Sequence, residues 1–118
     1  MGSVISSSTD ANDQTKLYQE YFNDRIQKNK VVIFSQTTCG YCTLAKDLLD
    51  SLNVQYKSIE LNMSDNCPKN DCKPLKQVLI KQTGMKTVPQ IFINGKLIGG
   101  YTELNDLAEN GELKNILK

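Results

Sequence analysis

The apolar positions of this chain change period several times along its length. Leu17, Tyr18, Tyr21, Phe22 and Ile26 recur at helical spacing behind a polar, serine-rich start, which predicts a helix with Asn12 or Asp13 as its N-cap. Val31, Val32, Ile33 and Phe34 then run unbroken to Ser35, the pattern of a short strand buried on both faces. Leu44, Ala45, Leu48, Leu49 and Leu52 return to one helical face, and residues 55–61 read as a second strand. A polar segment, residues 62–73, precedes a helix that carries Leu75, Val78 and Leu79 and stops at Gly84. Ile91, Phe92 and Ile93 face Leu97 and Ile98 across Asn94-Gly95, a strong signal for a two-residue type I′ hairpin. After Gly99-Gly100 comes an amphipathic stretch with Leu104, Leu107 and Ala108, then Leu113, Ile116 and Leu117 beyond a break at Gly111.

The resulting order is helix, strand, helix, strand, helix, hairpin, helix. A βαβ unit followed by a helical crossover and a closing hairpin implies an α/β fold, with a central four-stranded mixed sheet flanked by helices on both faces. At 118 residues the chain has the size of one domain. The expected division is a flexible tail over residues 1–11 and a folded domain over residues 12–118, because the tail is rich in serine and poor in bulky apolar residues.

Charge narrows the partners. Fourteen lysines and arginines stand against thirteen acidic residues, a net charge of +1, which argues against a nucleic-acid partner held by a basic surface. The N-terminus lacks the apolar core of a secretory signal, and Asp10 and Asp13 precede the first basic residue, Lys16. A cytoplasmic, reducing location is therefore expected. Met1-Gly2-Ser3-Val4-Ile5-Ser6 also fits the M-G-x-x-x-[ST] pattern for myristoylation of Gly2. One acyl chain gives marginal, reversible membrane contact, so any membrane association would depend on that modification.

The chemistry centres on Cys39-Gly40-Tyr41-Cys42, set where the first buried strand turns into a helix. Such a pair beside a βαβ pattern reads as a thioredoxin-like redox motif. Cys39 at the helix start meets unpaired backbone N–H groups and the positive end of the helix dipole, which favour a thiolate. Cys42, one turn in, is shielded. Cys39 is then the attacking thiol and Cys42 the resolving one. The alternative is a zinc site completed by Cys67 and Cys72. Against it, the stretch between the pairs exceeds the usual spacing of about 15–20 residues, and the first pair opens a helix instead of a glycine-rich knuckle. For Cys67 and Cys72 themselves two readings stand: a disulfide closing a small loop, or two unrelated thiols, the second being expected in a reducing compartment. Lys73, Lys76 and Lys81 read as a solvated helix face, and Tyr18, Tyr21 and Phe22 as core.

The segments IFSQTTCGYCTLAKDLL and KTVPQIFINGKLIGGYTEL resemble the glutaredoxins, the glutathione-dependent branch of the thioredoxin superfamily. The resemblance covers the chain beyond the tail and is closest to dithiol members carrying Cys-Ser-Tyr-Cys. It implies a thioredoxin-like fold and a cis peptide at Val88-Pro89. It also implies a glutathione site: Val88 pairs with the tripeptide backbone, Gln36, Lys86 and Thr87 lie near its glycine carboxylate, and Tyr41 lies beside its sulfur. Gly100, Thr102 and Glu103 would take the γ-glutamyl end. The implied activity is reduction of protein disulfides and protein–glutathione mixed disulfides, so the partners are glutathione and glutathionylated proteins. Three residues depart from the common family pattern: Gln36 for lysine, Glu103 for aspartate, and Gly40 for proline. A small residue at the Gly40 position accompanies, in some members, a [2Fe–2S] cluster bridging two subunits, with Cys39 of each chain and two glutathiones as ligands. The chain is therefore expected to be a monomer or a cluster-bridged homodimer.

Overall fold

The structure, a computed structural model, describes the backbone of residues 2–118 and the side chains of residues 14–118. Its elements are α1 (Gly2–Lys28), β1 (Val31–Ser35), α2 (Gly40–Ser51), β2 (Lys57–Glu60), α3 (Lys73–Thr83), β3 (Gln90–Ile93), β4 (Lys96–Gly99), α4 (Tyr101–Glu109) and α5 (Glu112–Ile116), with two short 3-10 turns between β2 and α3. α1 begins at Gly2, so Asn12 and Asp13 stand inside the helix and not at its N-cap, and the expected boundary at residue 11 falls among residues whose side chains are not described.

The sheet order is β2-β1-β3-β4. β1 pairs parallel with β2 and antiparallel with β3, and β3 pairs antiparallel with β4. The mixed four-stranded sheet is therefore as expected. The strand at residues 55–61 is shorter than its apolar pattern implied, although Leu61 N–H still donates to Ser35 O at 2.8 Å beyond the strand end. Asn94 and Gly95 both take positive φ, 53° and 79°, as a type I′ turn demands.

β1 explains why the sheet is covered on both sides. Its alternating side chains split between two apolar clusters: Val32 and Phe34 pack with Tyr18, Phe22, Leu75 and Phe92 beneath α1 and α3, while Val31 and Ile33 pack with Ala45, Leu49, Ile91 and Leu104 beneath α2 and α4. Phe22, Phe34 and Phe92 meet with ring centroids 5.4–5.7 Å apart, Phe22 and Phe34 stacked and Phe92 edge-on to both. Every β1 side chain is buried, which fixes the direction in which the strand delivers the Cys39 turn.

The polar segment is a correction to the sequence reading. Cys67 and Cys72 are joined by a disulfide, not two unrelated thiols; their Cα atoms are 5.2 Å apart, within bridging reach. Lys69 and Asn70 turn the enclosed loop at φ 56° and 53°. The buried Tyr18 hydroxyl lies 2.7 Å from both Pro68 O and Asp71 O, and Tyr21 donates to Asn66 O at 2.6 Å, so α1 holds the loop from below. Burial, and after it the nearby Asp71 carboxylate, pushes the Tyr18 phenol up, so it stays a hydrogen-bond donor. So short a closure restricts the unfolded chain by about 2 kcal/mol. Replacing both cysteines by serine is expected to lower the free energy of unfolding by about that amount. Urea denaturation with and without reductant checks this, since reductant should shift wild type toward the variant and leave the variant unmoved.

Candidate active site

β1 ends at Ser35, and residues 36–39 turn the chain into α2. The turn is fixed by Cys39 N–H donating to Gln36 O at 3.1 Å and by a reciprocal pair between Thr37 and Asn62: Thr37 N–H to Asn62 Oδ1 at 3.1 Å, Asn62 Nδ2 to Thr37 Oγ1 at 2.6 Å. Cys39 is the N-cap of α2, with extended backbone (φ −95°, ψ 119°), and its sulfur accepts the Cys42 N–H at 3.2 Å. The sulfur therefore occupies the place that a serine or aspartate oxygen fills in most helices. Its own thiol points to Val88 O at 3.6 Å. Cys39 is partly exposed, whereas Cys42 is fully buried. Burial, then the hydrogen bond with Cys39, pushes the Cys42 thiol up; contacts from the Gln36 N–H and the Ser35 hydroxyl offset part of that.

Beside Cys39, the expected residues Tyr41, Thr87, Val88, Pro89, Gly100, Thr102 and Glu103 line one groove of about 380 Å³. Gln36 and Lys86 line a smaller adjacent cavity of about 90 Å³, which Lys76 also lines. The two meet at Val88 and Met85. Val88-Pro89 is cis, as the resemblance implied. Tyr41 is 63% exposed and lies over Tyr101 at a centroid distance of 6.2 Å. Glu103 reaches back to accept the Gly100 N–H at 2.7 Å, so its longer side chain caps α4. That fold-back demands glycine at position 99, where φ is 129° and a Cβ would fall 2.7 Å from the Glu103 carboxylate. Tyr101, Thr102 and Glu103, the first turn of α4, thus stand at one wall of the groove.

Sequence reasoning missed two supports. Gln90, buried behind Val88, donates to Met85 O at 2.9 Å and Thr87 O at 3.2 Å and accepts from the Thr83 hydroxyl at 3.0 Å. It staples the groove wall to α3, and its only signal in the sequence was a polar residue opening an apolar strand. Glu60 accepts from Ser35 Oγ at 2.9 Å, pairs with Lys46 Nζ at 2.8 Å and accepts from Ser58 Oγ. Burial alone would raise the Glu60 carboxyl, but Lys46, Ser58 and Ser35 more than offset it and hold it low. The zinc alternative does not fit, since Cys67 and Cys72 are bonded to each other and no cluster of three metal-ligating side chains exists among the described residues.

A dithiol at the N-terminus of a helix that follows a buried parallel strand, with a groove beside the outer sulfur, defines a thiol–disulfide oxidoreductase of thioredoxin-like fold. The glutaredoxin family model matches residues 31–98. Glutaredoxin-2, mitochondrial, of Bos taurus is 42% identical over 113 residues, 96% of this chain and 68% of that protein; its Homo sapiens counterpart is 43% identical over 76% of this chain and 52% of its own length. Among solved structures, the buckwheat glutaredoxin–glutathione complex has a TM-score of 0.79 at 34% identity, covering 89% of this chain and 91% of that one. The holo form of glutaredoxin C1 from Populus tremula x tremuloides has a TM-score of 0.77 at 32% identity, covering 89% and 90%. The chain belongs to the glutaredoxin family, and its activity is glutathione-dependent thiol–disulfide exchange.

Two outcomes test the supports. Gln90→Leu strands the Met85 and Thr87 carbonyls and should cost about 2–3 kcal/mol in urea denaturation, with a raised KM for a glutathionylated peptide. Glu60 is held below its unfolded value, so its stabilisation is present above the unfolded carboxyl's ~4.3 and is lost as pH falls through the folded value. Lys46→Met should therefore begin acid unfolding at a higher pH than wild type, as followed by circular dichroism.

Proposed function

We propose that Cys39 attacks the glutathionyl sulfur of a protein–glutathione mixed disulfide, releasing the protein thiol and carrying glutathione in the groove. A second glutathione then frees Cys39, or Cys42 resolves the adduct to an intramolecular disulfide. The observation that carries this reading is the asymmetry of the two sulfurs: one caps the helix at the mouth of a groove, the other is buried behind it. In the bound tripeptide the Val88 backbone faces the cysteinyl portion, Tyr41 flanks the sulfur, and Gln36, Lys86 and Thr87 meet the glycine carboxylate. Gly100, Thr102 and Glu103, at the start of α4, take the γ-glutamyl end, where backbone N–H groups favour a carboxylate. The solved buckwheat complex supports a glutathione site of this kind. With Cys-Gly-Tyr-Cys the protein is a dithiol member, acting in the cytoplasm on glutathionylated and disulfide-containing proteins. Its working domain is residues 12–118 and residues 1–11 are an N-terminal tail, with membrane contact arising only if Gly2 is acylated.

A second reading rests on Gly40. A Cβ there would meet nothing within 4 Å, and Cys39 is partly exposed, so there is room for a second subunit's sulfur chemistry at this site. Cys39 and a groove-bound glutathione from each of two chains supply the four thiolates of a [2Fe–2S] cluster, which would silence Cys39 while bound. Visible absorbance of anaerobically purified protein decides whether it forms.

The enzymatic reading is tested by glutathione-coupled reduction of a glutathionylated peptide. Cys39→Ser should abolish turnover, by at least ~10³-fold, because the covalent step is lost. Cys42→Ser should retain activity through the second-glutathione route. A folded Cys39→Ser protein with wild-type turnover would sink the assignment.

A further inference from the structure

The Cys67–Cys72 bridge takes no part in the reaction at Cys39, yet three observations set it apart from a plain staple. The first is the chain it encloses. Lys69 and Asn70, in succession, take φ 56° and 53°. Asparagine accepts the left-handed region, whereas lysine has no short polar side chain to offset its cost. The bridge fastens both ends of this turn, and the single Tyr18 proton is shared between Pro68 O and Asp71 O inside it. Cutting the bridge lets Lys69 leave that region. The second is that a reduced pair fits the same core. Cys67 and Cys72 lie in the apolar cluster of Tyr18, Phe22 and Leu75, where a free cysteine packs as a small hydrophobe. Cys72 Sγ also lies 3.5 Å from Met63 O, an acceptor that a bonded sulfur cannot use and a thiol can. The third is that α3 starts from the bridge. Cys72 is its N-cap, with no side-chain cap bond, and Cys72 O receives the Lys76 N–H at 3.0 Å.

We propose that Cys67–Cys72 is a second redox site, a clasp opened by glutathione and closed by glutathione disulfide, which sets how well the groove holds its substrate. A glutathione thiolate attacks one bridge sulfur; the Cys67–Cys72 bond breaks and its electron pair goes to the other sulfur. A second glutathione thiolate then removes the first. Glutathione is oxidised to its disulfide, and the pair is reduced to two thiols, which take up the two protons that the glutathiones lost. Glutathione disulfide runs the sequence backwards. Both bridge sulfurs are buried, at residues 6% and 8% exposed, so exchange waits on an opening of the exposed loop residues 69–71. The clasp therefore changes slowly and holds its state over many turnovers at Cys39.

The groove feels the clasp through α3. Lys76, Leu79 and Ile80 wall the small cavity that Gln36 and Lys86 complete. Leu61 and Leu79, which also line it, belong to the same apolar cluster as the two sulfurs, and Val88 packs against that cluster. Packed side chains thus run without a break from the bridge to the groove wall. Closed, the clasp fixes the first turn of α3 and with it the cavity at the glycine end of the groove. Open, that turn frays and the substrate is held more weakly. The direction suits a reductase of glutathionylated proteins, because the groove is best formed when glutathione disulfide is abundant and such proteins accumulate. This inference rests on the groove being the glutathione site.

The test compares two states of one protein. Wild type is prepared with the bridge intact, and again after full reduction and removal of the reductant. Alkylation and mass spectrometry of the peptide carrying Cys67 and Cys72 confirm each state. Equilibration in buffers of rising glutathione-to-disulfide ratio should convert the pair from bridge to two thiols. Single-turnover release of thiol from a glutathionylated peptide, with no free glutathione present, gives a half-saturating concentration and a maximal rate. Opening the clasp should raise the half-saturating concentration about fivefold or more and leave the maximal rate within about twofold. Hydrogen exchange in the first turn of α3 should quicken in the same state. The double variant Cys67→Ser, Cys72→Ser should match reduced wild type. Reoxidation by glutathione disulfide, followed by brief glutathione to free Cys39, should restore wild type and leave the double variant unmoved, a reversal that damage to the fold would not show. Equal half-saturation in both confirmed states, or a bridge that no glutathione ratio opens, overturns the clasp and leaves the glutathione reading standing. Absence of thiol release by either state of the folded protein overturns that reading and this inference with it. If the double variant does not fold, reduced and reoxidised wild type decide between the same outcomes.

Discussion

A sulfur caps α2. The Cys39 Sγ accepts the Cys42 N–H at 3.2 Å, where the first turn of a helix has donors to spare and the dipole favours negative charge. A serine oxygen there would be a structural cap and nothing more; a sulfur can bond a substrate sulfur. The cap geometry also separates the two cysteines by one turn, so that the second is drawn beneath the first. The remaining structure exists to hold that turn still.

The holding is done from two directions. β1 is buried on both faces, and its alternating side chains belong to different apolar clusters, so the strand can neither rotate nor slip a residue without exposing one set. The Thr37–Asn62 pair then ties the turn to the end of β2. On the far side of the groove, Gln90 satisfies two loop carbonyls and a hydroxyl at once, and so presents Val88 to Cys39 as part of a fixed wall. A buried amide with every partner in place rigidifies what an apolar residue would leave loose. Under the polar segment, the tyrosine hydroxyls of α1 and the Cys67–Cys72 bridge hold the loop between β2 and α3 in the same way.

How much of this could be read from the residues depends on whether the signal was local. The unbroken apolar run of β1, the Asn-Gly turn and the glycine stop of α3 each carry their geometry within a few residues, and the structure reproduces all three. The Cys39–Cys42 pair and the groove residues were legible because motif spacing and family resemblance named them. Glu60, Ser35 and Gln90 were not, since a carboxylate in a strand looks like solvent-facing alternation until the parallel register sets it against Ser35. The disulfide was misjudged for a related reason. Compartment chemistry argued for free thiols, while the facts that bring the sulfurs together, a tight loop with two residues at positive φ held by Tyr18, are tertiary.

The two sulfurs divide the work because their surroundings solve opposite problems. Stabilising a thiolate raises its population but lowers its intrinsic nucleophilicity, and the two effects nearly cancel in attack. The donors at the start of α2 face the Cys39 sulfur when it must leave a mixed disulfide. Speed in the attacking step has to come from holding the substrate sulfur in line, which is the task of the groove between Val88 and α4. The buried sulfur meets the reverse condition: alignment is given by the helix, one turn from its target, and what it lacks is an exit for its proton. Burial pushes its thiol up, so its attack waits on the departure of that proton.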